Sequence, residues 1–246
     1  MSNKNRPPIL DLDWRYRVAT TLAKDWLSPF TGQLHKKGTP VSVSTFVKHG
    51  EREVSIGDPS ATALYLSQSF RNFEDALQIH PFVGDWPPPD RKPSEVTYDY
   101  LEFIMASIIF AYTSIESFAN EEIPEDFNYE TQTENGIYIP RQKDWIERNV
   151  SLDEKLTIIL PEVKEKSSPK GLDVWEGYVQ LRRLRHRIIH LKSRDRVSSH
   201  DDNLYPESIW STLLKPKQPN FPLNAKNLIL HYKDIENTHW LKYCPY

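Results

Sequence analysis

Residues 97–123 read TYDYLEFIMASIIFAYTSIESFANEEI. Apolar side chains recur in this stretch at steps of three and four residues, the spacing of one face of an α-helix; they are Leu101, Ile104, Met105, Ile108, Tyr112, Ile115 and Ala119. Ile109 and Phe118 widen the stripe, which predicts a helix buried on most of its circumference. This stretch therefore predicts a chiefly helical protein built around a common core.

A second amphipathic helix is predicted from about Asp173 to Lys192, about 75 residues further along the chain. Its apolar seam consists of Val174, Tyr178, Leu181, Leu184, Ile188 and Leu191. Both helices need a partner for their apolar faces, so we expect them to share one core.

Weaker signals on the N-terminal side predict three further elements. Apolar spacing over residues 10–27 favours an amphipathic helix that ends before Ser28-Pro29. Alternation from Thr39 onward predicts a short β-hairpin that turns near His49-Gly50. Asp58-Pro59, a capping residue followed by proline, then predicts the start of another helix.

Further along, a proline-rich connector is expected at 84–93 and a loop at about 124–140. Ser151 and Glu154 have the spacing of a capping box, which predicts a short helix over 151–161 that stops at Pro161. The tail after residue 200 is interrupted by prolines, with short elements indicated at 207–214 and 226–235. These signals divide the chain into an N-terminal annex (1–58), a helical bundle (59–195) and a C-terminal extension (196–246).

Composition narrows the class of protein and its compartment. The chain has 246 residues, 38% hydrophobic and 26% charged, as a folded soluble domain requires. Its one cysteine, Cys244, excludes an intramolecular disulfide and a site of several thiolates. Residues 1–20 hold no signal peptide, and the apolar patch 103–112 is shorter than the roughly 20 residues of a membrane helix. We therefore expect a cytoplasmic protein with no membrane partner.

Positive charge is concentrated on the last predicted helix, although the whole chain carries a net charge of -3. Seven arginines and lysines lie between Leu181 and Arg196, against the single acid Asp195. A soluble helix surface explains such a run without any ligand, and the helix dipole favours cations near its C-terminus. A nucleic-acid contact and a catalytic element are the competing interpretations.

Arg185 and His190 are the pair of interest inside this run. At 100° per residue they lie about 140° apart around a helix, so one helix does not bring both onto a small ligand easily. A twofold dimer would place two copies of each around a shared cleft. Guanidinium groups suit phosphates and imidazoles titrate near neutral pH, a combination that fits chemistry on RNA.

The segment Arg185-His186-Arg187-Ile188-Ile189-His190 resembles the signature of the HEPN superfamily, an Arg followed after four to six residues by a His near the end of the last bundle helix. Upstream, IIFAYTSIESFANEEIP (108–124) and VSLDEKLTIILP (150–161) are similar to the other HEPN helices. The resemblance covers roughly residues 60–195. It implies an all-α, up-and-down bundle that dimerises through the motif face, here with a small N-terminal β-hairpin and an irregular C-terminal tail.

The resemblance also implies an activity, that of a metal-independent endoribonuclease of bacterial stress or antiviral defence. By analogy His190 is the general acid or base and Arg185 holds the scissile phosphate. His186 tunes the pair, and Glu116 matches an acidic supporting position more loosely. Four flanking cations are expected to contact RNA: Arg182, Arg183, Arg187 and Lys192. No cofactor or metal is implied, and the partners are RNA, a second copy of the chain, and an antitoxin or defence-system protein.

Several alternatives stand beside this prediction. Relatives silenced by a partner nucleotidyltransferase often carry Tyr two residues after the His, whereas this chain has Lys192 there, which argues against that form of control. Many members of the superfamily are inactive modules that bind RNA, a nucleotide or a protein. The arginines alternatively form salt bridges between subunits with the acids of 121–134. Glu116 alternatively is a buried carboxylate paired with an arginine of the last helix. His200, Asp201 and Asp202 match no closed metal site.

Overall fold

The computed structural model describes residues 13–29, 32–42, 44–80, 92–132, 135–195 and 208–246. The described residues form a mainly helical protein with four small antiparallel strand pairs. Two compact units can be separated: the first holds residues 1–64 and 233–246, and the second holds residues 65–232. The predicted connector 84–93 and the histidine–aspartate segment 198–203 fall mostly or wholly outside the described residues.

The described residues of the first unit contain three strand pairs. They are β1 (Val18–Thr21) with β4 (Pro40–Ser42), β2 (Trp26–Leu27) with β3 (Leu34–His35), and β5 (Ser44–His49) with β6 (Arg52–Gly57). In the last pair His49 lies opposite Arg52, and the chain turns through Gly50 at a φ of 62°. The predicted hairpin turn near His49-Gly50 is therefore confirmed, whereas the start of the predicted hairpin is wrong, because Pro40–Ser42 belongs to β4 and pairs with β1. A short helix, α9 (His239–Lys242), completes the described part of this unit.

The predicted helix over residues 10–27 is wrong from residue 13 onward, and its first three residues lie outside the described part of the chain. In its place β1 pairs with β4, and Trp26 in β2 stacks on His35 at 5.5 Å between ring centroids. Trp26 and Leu27 are exposed, so the apolar spacing does not mark a buried helix face. Val18, Thr20 and Thr21 are β-branched, which favours strands, and their partners lie about 20 residues away, beyond the reach of local periodicity.

Helices dominate the second unit. They are α1 (Ala61–Gln78, whose first residues belong to the first unit), α2 (Pro93–Glu122), α3 (Lys143–Asn149), α4 (Leu152–Glu154), a π-helical segment (Lys155–Ile159), α5 (Leu160–Lys164), α6 (Asp173–Ile189), a 3₁₀ turn (Ser193–Asp195), α7 (Ile209–Leu213) and α8 (Phe221–Tyr232). A fourth strand pair, β7 (Tyr129–Gln132) with β8 (Tyr138–Arg141), lies between α2 and α3.

Three helices, α2, α6 and α8, pack against one another and form the core of the second unit. Ile104, Ile108 and Ile115 of α2 are completely buried, as the periodicity of residues 97–123 predicts. Phe118 meets Tyr232 of α8 at 6.1 Å between ring centroids. The predicted common core of α2 and α6 is confirmed, and the extension predicted over 196–246 contributes α8 to it as a third full helix.

Small polar residues bring α1 close to α2. The Ser69 hydroxyl donates to the Ser107 carbonyl at 2.8 Å, and the Ser107 hydroxyl donates to the Ser69 carbonyl at 2.9 Å. All four groups are buried, and this reciprocal arrangement satisfies both hydroxyls without a bulky side chain between the helices. α1 begins after Ser60, whose hydroxyl accepts from the Ala63 N–H, three residues beyond the predicted start at Asp58.

The segment 124–161 differs from its prediction at two places. The expected loop over 124–140 is wrong because it contains β7 and most of β8. The Ser151 half of the capping box is confirmed, since the Ser151 hydroxyl accepts from the Glu154 N–H at 3.2 Å. The Glu154 carboxylate accepts from the Tyr129 hydroxyl at 2.6 Å. The helical path does not stop at Pro161, however. Pro161 occupies the first turn of α5, where a missing N–H costs least, directly after the π-helical segment.

Among the described residues one helix, α2, is long and apolar enough to cross a membrane by length and composition, with a mean hydropathy of 1.4 over its best window of 18 residues. Forty-four per cent of that window is buried within the protein. A core helix of a soluble protein meets the same criterion, and α2 packs against α6 and α8.

Candidate nucleic-acid interface

α6 divides its surface between the core and a strongly basic exposed side. Tyr178, Leu181, Leu184 and Ile188 are buried, which confirms the central part of the predicted seam. The helix ends at Ile189, and His190 is its C-cap residue with a φ of -119° and a ψ of 65°. Val174 and Leu191, at the two ends of the seam, are only half-buried. The basic side of α6 has two parts with different surroundings.

Aromatic rings and one carboxylate organise the side of α6 that faces α2 and α4. Tyr178 stacks on Tyr112 of α2 with 6.2 Å between ring centroids and 15° between the planes. The Tyr178 hydroxyl donates to Asp153 of α4, and Arg182 forms a salt bridge with the same carboxylate. Burial, followed by the charge of Glu116, raises the pKa of Tyr112. Both phenols therefore stay protonated near neutral pH.

Arg185 is part of this cluster. Its guanidinium carbon lies 5.1 Å from the centre of the Tyr112 ring, within the range of a cation–π interaction. The side chain is half-buried, so the ring limits its motion while part of it stays accessible. The Tyr112 ring of α2 therefore orients the Arg185 guanidinium at the surface of the second unit.

Glu116 follows Tyr112 by one turn of α2 and is exposed. Its charge contributes to the raised pKa values of Tyr112 and Tyr178 and opposes the lowering of the pKa of Lys155, so the carboxylate lies close to these groups. The alternative of a buried carboxylate at this position is wrong, because the side chain faces solvent.

Lys155 is a buried cation in the π-helical segment, with 3% of its surface exposed. Its ammonium donates to the Asn120 side-chain oxygen and to the Glu147 carbonyl, each at 2.9 Å. Burial lowers its pKa, while the nearby charges of Glu116 and Glu147 act in the opposite direction. These bonds tie the π-helical segment to the end of α2 and to α3, which fixes the frame that holds Asp153.

His186 and His190 contact each other at the end of α6. Their ring centroids are 4.8 Å apart, and both side chains are exposed. The backbone N–H of His190 donates to the His186 carbonyl at 3.0 Å, so the helical hydrogen bonds of α6 extend to its C-cap residue. The two imidazoles, in contact and exposed, can each donate or accept a hydrogen bond at the protein surface.

On the other side of α6 lies an open cavity of about 750 Å³, here called the basic groove. Its lining comprises Gln180, Arg182, Arg183, Leu184, His186, Arg187, Lys192, Thr212, Lys215, Lys217, Gln218 and Pro219. Six of these residues are cationic, and no acidic residue belongs to the lining among the described parts of the chain. Neither Arg185 nor His190 lines the groove, whereas His186 does.

The wall opposite α6 is formed by the segment that joins α7 to α8. The Gln218 side-chain amide donates to the carbonyls of Thr212 and Leu213, at 3.1 Å and 2.7 Å. The Tyr100 hydroxyl also donates to the Leu213 carbonyl, at 2.9 Å, and the His80 ring lies 3.2 Å from the Lys215 carbonyl. This segment is therefore fixed to the helices beneath it although it contains no regular secondary structure.

Asp195 holds the end of α6 to the start of α7. Its carboxylate accepts from the Arg187 guanidinium at 2.9 Å, from the Ile209 N–H at 2.8 Å and from the Lys192 N–H at 3.2 Å. Burial raises the pKa of Asp195, but these hydrogen bonds and the charge of Arg187 outweigh it and lower the pKa. Asp195 therefore remains ionised in the folded protein and positions Arg187 and Lys192.

The structure thus separates the predicted site residues into two groups. Arg182, Arg183, Arg187 and Lys192, together with His186, line the basic groove. Arg185 lies against the Tyr112 ring, and His190 does not line the groove but contacts His186, which does. Arg185 and His190 of one chain are not brought onto a common groove, in agreement with their angular separation on a helix.

Sequence reasoning missed three parts of this surface. It did not include Lys215 and Lys217, although the alternation in KPKQP provided a signal. It missed Asp153 as the partner of Arg182 and did not connect Tyr112 with Arg185. Within the chain, Glu122 pairs with Lys164 and Glu125 with Lys143. The alternative of salt bridges between these acids and the arginines of a second subunit stays a prediction.

No cluster of three or more His, Cys, Asp or Glu side chains suited to a metal ion occurs within the described ranges. Comparisons of the chain with protein-family models, with curated proteins and with solved structures found no significant match. The family resemblance therefore stays a prediction that depends on the residues quoted above.

Proposed function

We propose that this chain is a metal-independent endoribonuclease of HEPN type, built on a HEPN-like bundle of α2, α6 and α8 with its neighbouring helices. It acts as a cytoplasmic homodimer in bacterial stress or antiviral defence. The observation that carries the proposal is that α6 holds both an oriented guanidinium, Arg185, and exposed imidazoles at its end, next to a groove lined by cations.

The proposed reaction needs no group from outside the protein. An imidazole, assigned to His190, takes the proton of the ribose 2′-hydroxyl, and the 2′-oxygen attacks the adjacent phosphorus. The bond to the 5′-oxygen breaks, and that oxygen leaves with the proton that the imidazole accepted, so the imidazole is neutral again at the end of the step. The products are a 2′,3′-cyclic phosphate and a 5′-hydroxyl end. Arg185 stabilises the charge that develops on the phosphoryl oxygens.

A composite site would supply the two groups from different protomers. Within one chain Arg185 faces α2, whereas His190 ends α6 beside His186. A twofold axis near the end of α6 would bring Arg185 of one copy toward His190 of the other. His186 would then lie between His190 and the basic groove, where it links the reacting site to the bound strand.

The test uses purified protein with tRNA and with total RNA, in the presence of EDTA. We expect cleavage that leaves 5′-hydroxyl ends, and a loss of about 10²–10⁴-fold in rate for His190→Ala, the range for removal of a general acid or base. Arg185→Ala should be similarly impaired.

Matched controls are His49→Ala and Arg52→Ala, because both residues are exposed in the hairpin of the first unit. They should cleave like the wild type. Absence of cleavage at high protein concentration, or full activity of His190→Ala, rejects the ribonuclease proposal.

A second candidate function is a catalytically inactive module that binds RNA, a nucleotide or a protein. The observation that favours it is that the basic groove contains neither Arg185 nor His190. Binding of RNA that weakens with salt, together with complete absence of turnover, would support this candidate over the nuclease.

A further inference from the structure

We propose that the basic groove binds the phosphodiester backbone of a single nucleic-acid strand, and that Lys215 and Lys217 are phosphate-binding residues on the wall opposite α6. This inference deepens the proposed function, because it states how the substrate of that function is held. It adds residues outside the region of HEPN resemblance and assigns a task to the segment between α7 and α8.

The charge distribution of the groove indicates an anion. Arg183, Lys192, Lys215 and Lys217 are exposed cations on its two walls. The acid that pairs with Arg187 lies behind the groove, since only 1% of the Asp195 side chain is exposed. A ligand in the groove therefore meets positive charge on both sides and no carboxylate among the described lining residues.

Lys215 and Lys217 lie on a wall whose backbone is held by hydrogen bonds before any ligand binds. Gln218 donates to the carbonyls of Thr212, Leu213 and Lys215, and thereby holds the turn that carries both lysines. A segment with its backbone fixed in this way loses little conformational entropy when a ligand binds.

The size of the groove and the chemistry of its lining identify the occupant. Cations spread over two walls exceed what one phosphate group can engage, while a cavity of about 750 Å³ has the dimensions of a small-ligand site and admits a few nucleotides rather than a duplex. No Phe, Tyr or Trp belongs to the lining within the described residues, so bases have no ring on which to stack. The strand is therefore held by contacts to its sugar-phosphate backbone, and such contacts discriminate little between base sequences.

The experiment measures binding separately from cleavage. Fluorescent single strands of about 12 nucleotides, a length within the usual range of single-strand sites, are titrated with the wild-type protein. The strands are 2′-O-methyl oligouridine, 2′-O-methyl oligoadenosine and oligothymidine DNA. The methylated ribose has no 2′-hydroxyl and cannot be cleaved by the proposed reaction, and fluorescence anisotropy reports the dissociation constant.

Lys215→Ala/Lys217→Ala is compared with Lys166→Ala/Lys170→Ala, a pair of exposed lysines in the same unit outside the groove. Each phosphate contact contributes about 0.7 to the slope of log K against log salt. The groove variant should therefore bind about 25-fold more weakly at about 0.1 M salt, with a slope smaller by about 1.4. The control pair should bind like the wild type, and the three strands should have similar affinities.

Three results overturn the inference: unchanged affinity of the groove variant, a strong preference for one base, or displacement of the strand by polyglutamate as effective as displacement by RNA. The last result would assign the groove to an acidic protein segment. The proposed function is rejected separately from this inference if RNA is recovered uncleaved while strand binding still depends on Lys215 and Lys217. Conversely, cleavage by an unimpaired Lys215→Ala/Lys217→Ala variant would leave the nuclease standing and remove these lysines from it.

Discussion

Arg185 is oriented by an aromatic ring that lies more than 70 positions earlier in the sequence. The guanidinium carbon is 5.1 Å from the centre of the Tyr112 ring, and Tyr112 is held in turn by stacking against Tyr178. Tyr178 donates to Asp153, which also pairs with Arg182. An arginine needed to stabilise a transition state gains from such fixed orientation, because less side-chain entropy is lost when the phosphate binds.

This arrangement predicts that Tyr112 is a positioning residue for Arg185. Tyr112→Phe keeps the ring and should retain nearly full ribonuclease activity. Tyr112→Leu removes the ring and should lower kcat/KM about fivefold, which corresponds to loss of about 1 kcal/mol of cation–π interaction. Cleavage kinetics of both variants provide the check, with thermal unfolding to verify that each is folded. Equal activity of the Phe and Leu variants would show that the ring does not position Arg185.

Asp195 makes stability depend on pH in a defined direction. Its pKa in the folded protein lies below the value in the unfolded chain, so the unfolded state binds more protons as the pH falls into the acid range. The stabilisation is present above the unfolded pKa and is lost as the pH falls through the folded pKa. We expect the free energy of unfolding to decrease from pH 7 toward pH 3 by a smaller amount in Asp195→Asn than in the wild type.

Urea unfolding at several pH values measures this difference. Asp144→Asn is the matched control, because Asp144 forms an exposed ion pair with Arg148 that contributes about 0.5 kcal/mol or less. Its pH profile should overlay that of the wild type. If Asp195→Asn has the same pH dependence as the wild type, the buried carboxylate is not the group responsible.

At the scale of elements, local and distant interactions differ in how well they could be predicted. The helical spacing of 97–123 and of 173–192 correctly predicted α2 and most of α6, because an amphipathic helix repeats its pattern within a few turns. The β5–β6 hairpin was predictable for the same reason, since its turn joins adjacent strands. β1 was not, because its partner β4 lies beyond a second strand pair.

The hairpin of the first unit also contains a close approach that requires glycine. A Cβ atom on Gly57, at the end of β6, would lie 2.5 Å from the Tyr16 ring, nearer than carbon atoms normally approach. Its φ lies outside the left-handed region, so the constraint comes from packing rather than from backbone strain. The glycine permits the bridge between Tyr16 and Pro59 that lies beside the start of α1.

Gly57→Ala should therefore destabilise the protein by about 1–3 kcal/mol, the usual cost of overpacking. In a Tyr16→Ala background the space is open, and the same substitution should be neutral or slightly stabilising because alanine restricts the unfolded chain. A double-mutant cycle from denaturant unfolding tests this coupling. An equal cost of Gly57→Ala in both backgrounds would show that the Tyr16 ring is not the obstacle.

At the scale of the whole molecule, the candidate site is assembled from segments that are distant in sequence. Composition and spacing drew attention to the basic face of α6, where Arg182, Arg183, Arg187 and Lys192 line the groove. The opposite wall, with Lys215 and Lys217, depends on how α7 and α8 return to α6. The packing of α7 and α8 against α6 is a tertiary contact with no local sequence pattern, so residue spacing alone did not predict it.

The separation of Arg185 from His190 within one chain leads to a prediction about the assembled protein. If the reacting groups come from different protomers, Arg185→Ala and His190→Ala each inactivate both sites of their homodimer. A heterodimer of the two variants contains one site with an intact Arg185 and an intact His190. Its activity should be about half that of the wild type, because one of two equivalent sites is restored.

Co-expression of the two variants with different affinity tags yields the heterodimer by sequential purification, and its size is verified by analytical ultracentrifugation. Each variant homodimer, purified in the same way, is the matched control and should be inactive. Recovery of activity requires that Arg185 of one protomer acts with His190 of the other, since neither chain in the heterodimer carries both residues. An inactive heterodimer, with a wild-type dimer that cleaves RNA, would place both groups in the same chain and would require α6 to rearrange when RNA binds.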